Sequence, residues 1–248
     1  MIIAWFSGGA TSTIACKIAL ETLANVQFVY IETGSHHEDA MRYLKDCEAW
    51  FGREIKIIRS TRYSSVDDVI VKRRFLNGPA GALCTSELKR MVREQFEREN
   101  NVTGHVWGFD SDAKERNRAK RMEDKYPNVK HYFPLIEKCL TKKDCLSIIQ
   151  DAGILLPAMY RLGYSNANCV GCVKGGMAYW NKIRKDFPEV FERMAKRERE
   201  IGRSCLRKHY LDELPPDAGK HEAPLVAECG SVGEGCEVEL SRWFYGRE

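Results

Sequence analysis

Residues 2–24 read IIAWFSGGATSTIACKIALETLA. A short apolar run ends in Ser-Gly-Gly, and Ile14, Ile18 and Leu23 then recur at near-helical spacing, so the stretch predicts a strand, a glycine turn and a helix. VQFVYIET (26–33) predicts a second strand, HEDAMRYLKDCEAWFG (37–52) an amphipathic helix stopped by Gly52, and EIKIIRS (54–60) a third strand. This βαβαβ rhythm predicts a parallel, doubly wound sheet. Beyond a Gly- and Pro-rich loop at 77–83, residues 85–100 predict a helix, 103–109 a strand, and 110–123 a polar helix. A fifth strand is predicted near 130–136 and a helix over 141–153, with Thr141 as N-cap and Asp144 three residues on. The fold class is α/β, a mostly parallel five-stranded Rossmann-like sheet. The texture changes past Pro157, which divides the chain into an N-terminal α/β domain (1–158) and a C-terminal region (159–248). That region holds a CxxC, a long charged helix over 177–203 and a cysteine-containing tail.

The 248 residues, 44% of them hydrophobic, suffice for one α/β core with a smaller second part. No run of eighteen apolar residues occurs, and MIIAWFSGG lacks a basic n-region, so a membrane protein and a signal peptide are not expected and the protein reads as cytoplasmic. Net charge is only +4, but KRRF (72–75), KERNRAKR (114–121) and RMAKRERE (193–200) concentrate the positive charge, which suits polyanionic ligands or partners.

The turn FSGGATST (6–13) joins a strand to a helix, so its backbone amides and the helix N-terminus make an anion site at the carboxyl edge of the sheet. Gly8 and Gly9 permit close approach of a phosphate, and the hydroxyls of Ser7, Thr11, Ser12 and Thr13 can add hydrogen bonds. GxGxxG and GxxxxGK[ST] are both absent, and the bland alternative is a plain tight βα turn. The stretch resembles the SGGxxS signature of the PP-loop superfamily, also called adenine nucleotide alpha hydrolases. This resemblance implies an adenine nucleotide (ATP, adenylylsulfate or phosphoadenylylsulfate) held on Ser7, Gly8, Gly9, Ala10, Thr11 and Ser12. Many members carry Lys-Asp where Ala10-Thr11 stand. ETGSHHEDAMRYLKDCEAWFG (32–52) resembles the superfamily's second segment and adds Thr33 and Gly34 to the nucleotide site. His36 and His37 are adjacent in a loop and point apart, so they read as loop polarity or substrate contacts rather than as a shared metal site. GFDSDAKERNRAKR (108–121) offers Gly108, Arg116, Arg118 and Arg121 after a strand end, where guanidinium forks suit anionic oxygens; a solvated helix face is the alternative. Lys89 is a further candidate cation.

Ten cysteines are many for a cytoplasmic chain. Cys16, Cys47, Cys139, Cys145 and Cys205 lie in helical patterns and read as small buried hydrophobes. Cys84, Cys169, Cys172, Cys229 and Cys236 sit near glycines or turns. Cys169 and Cys172 in GYSNANCVGC (163–172) are spaced CxxC, which lets two thiolates reach one metal centre, and Cys84 in ALCTSELK is the best third ligand. Cys236, Cys205, a non-cysteine ligand or a substrate remains for the fourth position.

GYSNANCVGC and CTSELK resemble the two cysteine segments of the adenylylsulfate and phosphoadenylylsulfate (APS/PAPS) reductase family. In its cluster-bearing members these segments hold a [4Fe-4S] cluster. The resemblance implies such a cluster on Cys84, Cys169 and Cys172, with zinc as the alternative. Thr85 stands where the family has a second adjacent cysteine, and three cysteines with one open iron resemble the thiolating members of the superfamily. ECG (228–230) resembles the family's C-terminal Glu-Cys-Gly, which implies Cys229 as the nucleophile that attacks activated sulfate, with Lys89 and Arg118 assisting and a thioredoxin-like partner releasing sulfite. Cys229 and Cys236 could instead form a separate pair, for zinc or for nothing. The first expectation is therefore a reductase of activated sulfate. The second is an ATP-dependent sulfurtransferase whose basic helices contact nucleic acid, and the third a catalytically inactive nucleotide- and metal-binding regulatory protein. Homo-oligomerisation is left open.

Overall fold

Side chains of β1 (Ile2–Phe6) alternate between two faces, as a strand with helices on both sides requires: Ala4 and Phe6 enter one core and Ile3 and Trp5 the other. The computed structural model describes residues 1–78, 81–206 and 209–220. The glycine turn leads into α1 (Ala10–Thr22), then β2 (Val26–Glu32), α2 (Ala40–Phe51) and β3 (Ile55–Arg59). Gly52 ends α2 in the left-handed conformation, at φ 61.

From β3 the chain leaves the sheet. It forms α3 (Val66–Arg73), a tiny antiparallel hairpin of β4 (Asn77–Gly78) and β5 (Gly81–Ala82), and a composite helix. That helix runs from α4 (Leu83–Thr85) through a π-helical turn (Ser86–Arg90) into α5 (Met91–Glu99). The chain then returns for β6 (Gly104–Val106), α6 (Ala113–Lys125) and β7 (Lys130–Tyr132). The five strands of the main sheet lie in the order β3-β2-β1-β6-β7, and every pairing is parallel. The order reverses beside β1, so a crevice opens there at the carboxyl ends of β1 and β6, where doubly wound sheets place their ligands.

After α7 (Pro134–Glu137) comes α8 (Lys142–Asp151), whose capping box joins Thr141 and Asp144 as the spacing predicts. Helices α1, α2 and α8 cover one face of the sheet; Phe96 of α5 packs on Ile3, Trp5 and Val29 of the other. A second core gathers Val69, Ile70, Leu76 and Leu88 with Trp180, Ile183, Phe191 and Leu211, so the excursion between β3 and β6 packs against the C-terminal elements. These are α9 (Ala158–Arg161), α10 (Met177–Asp186) and α11 (Pro188–Ile201).

Two expectations are corrected. The long helix over 177–203 is two helices: Phe187 is non-helical at φ −142, ψ 66, and Pro188, which lacks an N–H, starts the second. Cys139 is exposed at φ 55 in the turn between α7 and α8, not a helical core residue. Cys16, Cys47 and Cys145 are buried as expected, and Cys205 is buried just beyond α11. Among the described residues no helix is long and apolar enough to cross a membrane.

Candidate functional site

The turn after β1 is braced from within. Ser7 donates to Ser12 Oγ through its amide (3.0 Å) and its hydroxyl (2.9 Å), and Ser12 Oγ donates to the Gly9 carbonyl at 2.8 Å. Thr13 is fully buried, donating to Gly9 and lying 2.8 Å from the Tyr43 hydroxyl, so its hydroxyl belongs to the fold and not to a ligand. No N-cap side chain closes α1, which keeps the positive end of the helix open. The Ala10 amide donates to the Tyr160 hydroxyl of α9 at 3.2 Å. Gly108, past β6, lies so close that a Cβ there would stand 2.6 Å from Ser12 Cα; this glycine lets the two loops meet at the crevice.

The turn after β2 holds the cysteine segment against the sheet. Gly34 has φ 66, and a Cβ would fall 1.9 Å from the Ser64 carbonyl oxygen, so only glycine fits. The Gly34 amide donates to Glu32 Oε1 at 2.6 Å, and the Val170 amide, between the two CxxC cysteines, donates to the Ser35 carbonyl at 2.9 Å. Thr33 Oγ1 lies 3.2 Å from Cys169 Sγ, and His36 Nδ1 lies 2.7 Å from the Tyr30 hydroxyl and 3.4 Å from Glu32 Oε1. The imidazole also lies within electrostatic reach of Cys169. Burial alone would raise the Cys169 thiol, but the hydrogen bond and charge of His36, with Lys89 and Thr33, outweigh it and bring it to about 7. Burial would likewise lower His36, yet Cys169 and Glu32 raise it to about 9. Glu32 itself falls to about 2, because bonds from His36, the Gly34 amide and Tyr30 overcome burial.

Gly171, at φ 75, turns the chain between Cys169 and Cys172, and the Tyr179 hydroxyl clamps the turn by accepting from the Cys172 amide (2.9 Å) and donating to the Cys169 carbonyl (3.2 Å). Cys84 comes from α4. All three cysteines, together with Thr33, Lys89 and Arg118, line one cleft of about 900 Å³. Each of the three is a free thiol. Burial raises Cys84 and Cys172, and the neighbouring cysteines of the trio raise them further, so they lie within electrostatic reach of one another. The π-helical turn follows Cys84-Thr85 directly and carries Leu88 and Lys89 to the cleft wall; such turns recur at functional sites.

Three free thiols drawn from chain segments 85 positions apart line one cleft, with Lys89 and Lys174 beside them, and cysteine thiolates are the ligands that iron–sulfur clusters take. Among the described residues no three His, Cys, Asp or Glu side chains gather closely enough to hold a single metal ion. A cluster spreads its thiolates over separate irons, so it asks for wider spacing than one zinc ion does.

Of the remaining predicted residues, Arg116 donates to the Ser111 carbonyl at 2.8 Å and Arg121 is exposed on α6; neither lines the cleft. His37 accepts from the Asp39 amide at 3.1 Å and packs edge-on to Phe187, which is a structural role. Cys229 and Cys236 lie outside the described residues. Sequence reasoning missed Tyr160, Tyr179, Lys174, Lys182 and Lys185, whose nearness to the cysteines or the loop depends on tertiary packing. The GG of VKGGMAYW was the one local cue to them. It supplies the turn before α10, where Gly175 lies under the Tyr179 ring.

The family model of the phosphoadenosine phosphosulfate reductase domain matches residues 1–175. The chain is 24% identical over 223 residues to uncharacterized protein MJ0066 of Methanocaldococcus jannaschii, covering 84% of this chain and 42% of that protein. With uncharacterized protein MJ0973 of the same organism the identity is 21% over 222 residues, covering 85% of this chain and 52% of that protein. The chain thus spans about half the length of these curated relatives.

Proposed function

Because the chain belongs to the phosphoadenosine phosphosulfate reductase domain family, we propose that it is an adenine-nucleotide-dependent sulfur enzyme. In this reading it transfers sulfur at the three-cysteine cleft, with a [4Fe-4S] cluster held by Cys84, Cys169 and Cys172. The observation that carries the reading is the convergence of these three free thiols on one cleft at the carboxyl edge of the sheet. Gly8, Gly9 and the open start of α1 receive the nucleotide phosphates, with Thr11 the loop hydroxyl least committed to the fold. Thr33 and His36 hold Cys169 in its thiolate form, which is the form that binds metal. Lys89 and Lys174 offset the negative charge that three thiolates and an anionic substrate bring into the cleft. When bound, the cluster supplies an iron without a protein thiolate, the position at which a sulfur atom can be held.

Family membership itself favours a second reading, reduction of an activated sulfate. There the Cys229 thiolate forms a bond to the sulfate sulfur and the nucleotide phosphate leaves, giving an S-sulfonated cysteine. A thioredoxin-like dithiol then releases sulfite and is oxidised to its disulfide. The two readings separate in one experiment on anaerobically purified protein. Supplied with ATP, sulfide and bulk RNA as acceptor, the transferase would activate a nucleobase oxygen as its adenylate with release of pyrophosphate, and sulfide would displace AMP; Cys172→Ser abolishes this sulfur incorporation and Cys229→Ser does not. Sulfite formed from adenylylsulfate or phosphoadenylylsulfate plus thioredoxin, and lost in Cys229→Ser, would replace the first reading with the second.

A further inference from the structure

The hydroxyl of Tyr160 stands where the glycine turn meets the cysteine loop. It accepts from the amide of Ala10, the first residue of α1, at 3.2 Å, and a Cβ on Gly9 would lie 3.3 Å from it. Ala167, two residues before Cys169, packs on the same core as the Tyr160 ring, and its amide acts on the same oxygen. Lys142, at the start of α8, holds the adjoining residues. Its Nζ donates to the Ser165 carbonyl and, at 2.6 Å, to Asn166 Oδ1, and it lies 5.7 Å from the Tyr160 ring centroid. The chain neighbours of Tyr160 belong to the other core: Met159 and Tyr164 are buried in the cluster that holds Cys169, whereas Tyr160 is buried in the one that holds Ile14 and Tyr43. Residues 159–164 therefore join the two cores, and the phenol is a point at which the loop leading to Cys169 touches the loop proposed to receive phosphate.

A phenol both donates and accepts, and this one is spent as an acceptor. Among the described residues nothing takes its proton. A donor left over beside an anion site gains its acceptor when the anion arrives, and the bond is then charge-assisted. The ring is buried in close-packed surroundings, so the hydroxyl keeps its place as the phosphate enters. We infer that Tyr160 couples the two sites: its hydroxyl donates to a phosphate oxygen of the nucleotide on the glycine turn while still accepting from the loops, so that bound nucleotide fixes the segment carrying Cys169. By linkage, whatever orders that segment tightens the nucleotide by the same factor. The inference rests on nucleotide binding at the turn, which both readings above share, and on neither the cluster nor the sulfur acceptor.

The test is hydrogen–deuterium exchange of the full-length, anaerobically purified protein, followed by peptide mass spectrometry with and without saturating ATP or adenylylsulfate. Equilibrium binding of each nucleotide is measured on the same samples. In the wild type, peptides over 163–172 should exchange at least about tenfold more slowly when nucleotide is bound. Tyr160→Phe keeps the ring and removes the hydroxyl. Its affinity for nucleotide should fall at least about tenfold, the size of one charge-assisted hydrogen bond. At saturation, its peptides over 163–172 should lose the protection that nucleotide confers while those over the glycine turn keep theirs. A hydroxyl that serves only the fold would act differently: exchange over 163–172 would quicken by one factor with and without nucleotide, and affinity would stay within about twofold. That result overturns the inference, and so does a wild-type protein that binds nucleotide with no slowing over 163–172, a comparison that does not depend on the folding of any variant. A wild-type protein that binds neither nucleotide overturns instead the reading on which the inference rests.

Discussion

Cys169 is the residue on which the site turns, because its thiol is buried and is nevertheless held near pKa 7. Burial alone would keep it protonated and inert; the His36 imidazolium, itself sustained by Glu32 and by Cys169, reverses the sign. In the reduced, metal-free chain, the rate of alkylation of Cys169 by iodoacetamide, followed by peptide mass spectrometry, should rise to half its plateau near pH 7. His36→Ala should move that midpoint upward by about a unit or more, toward or above an ordinary thiol. A wild-type midpoint in the ordinary thiol range would remove the ion pair from the account. The spacing of Cys169 and Cys172, and the helix-mouth position of Cys84, mark the trio in the sequence. The role of His36 is invisible there, since it exists only when residue 169 is brought beside residue 36. Cys139 misleads for a related reason: a helical pattern of neighbours says nothing of a left-handed turn that breaks it.

At the scale of elements, local rules carry further. Thr141 and Asp144 form the reciprocal cap that their spacing announces, the Thr141 amide donating to Asp144 Oδ2 at 2.7 Å and the Asp144 amide returning to Thr141 Oγ1 at 3.3 Å. Thr141→Ala should therefore lower the free energy of unfolding by about 1 kcal/mol in urea titration, with the nucleotide and iron sites intact; a change near zero would mean that tertiary contacts of α8 make the cap redundant. The same signal stood unread before α3, where Ser65 accepts from the Asp68 amide at 3.0 Å, acids occupy the first turn and bases the last. The break at Pro188 was also legible, but a continuous run of charge masked it. The π-helical turn at Ser86–Arg90 has no such signature, and its effect, which is to turn Lys89 toward the cleft, comes from packing.

At the scale of the molecule, the βαβαβ rhythm of the first sixty residues foretold the parallel sheet and placed the glycine turn after β1 on its carboxyl edge. It could not foretell the cleft, whose walls come from the turn after β2, the α4 segment, α6, the CxxC loop and α10. The decisive packing is the second core, in which the excursion between β3 and β6 meets the C-terminal helices and so carries Cys84 to Cys169 and Cys172. That shared core is what turns a CxxC into a cleft lined by three thiols. The most direct test is the iron and acid-labile sulfide content of the anaerobically purified protein, read with its visible absorption. Iron and sulfide in equal amounts, near four of each per chain, with a brown colour lost in Cys84→Ser, Cys169→Ser and Cys172→Ser alike, is the expected result. A colourless, iron-free protein carrying stoichiometric zinc, or a cluster that survives Cys84→Ser, would contradict it.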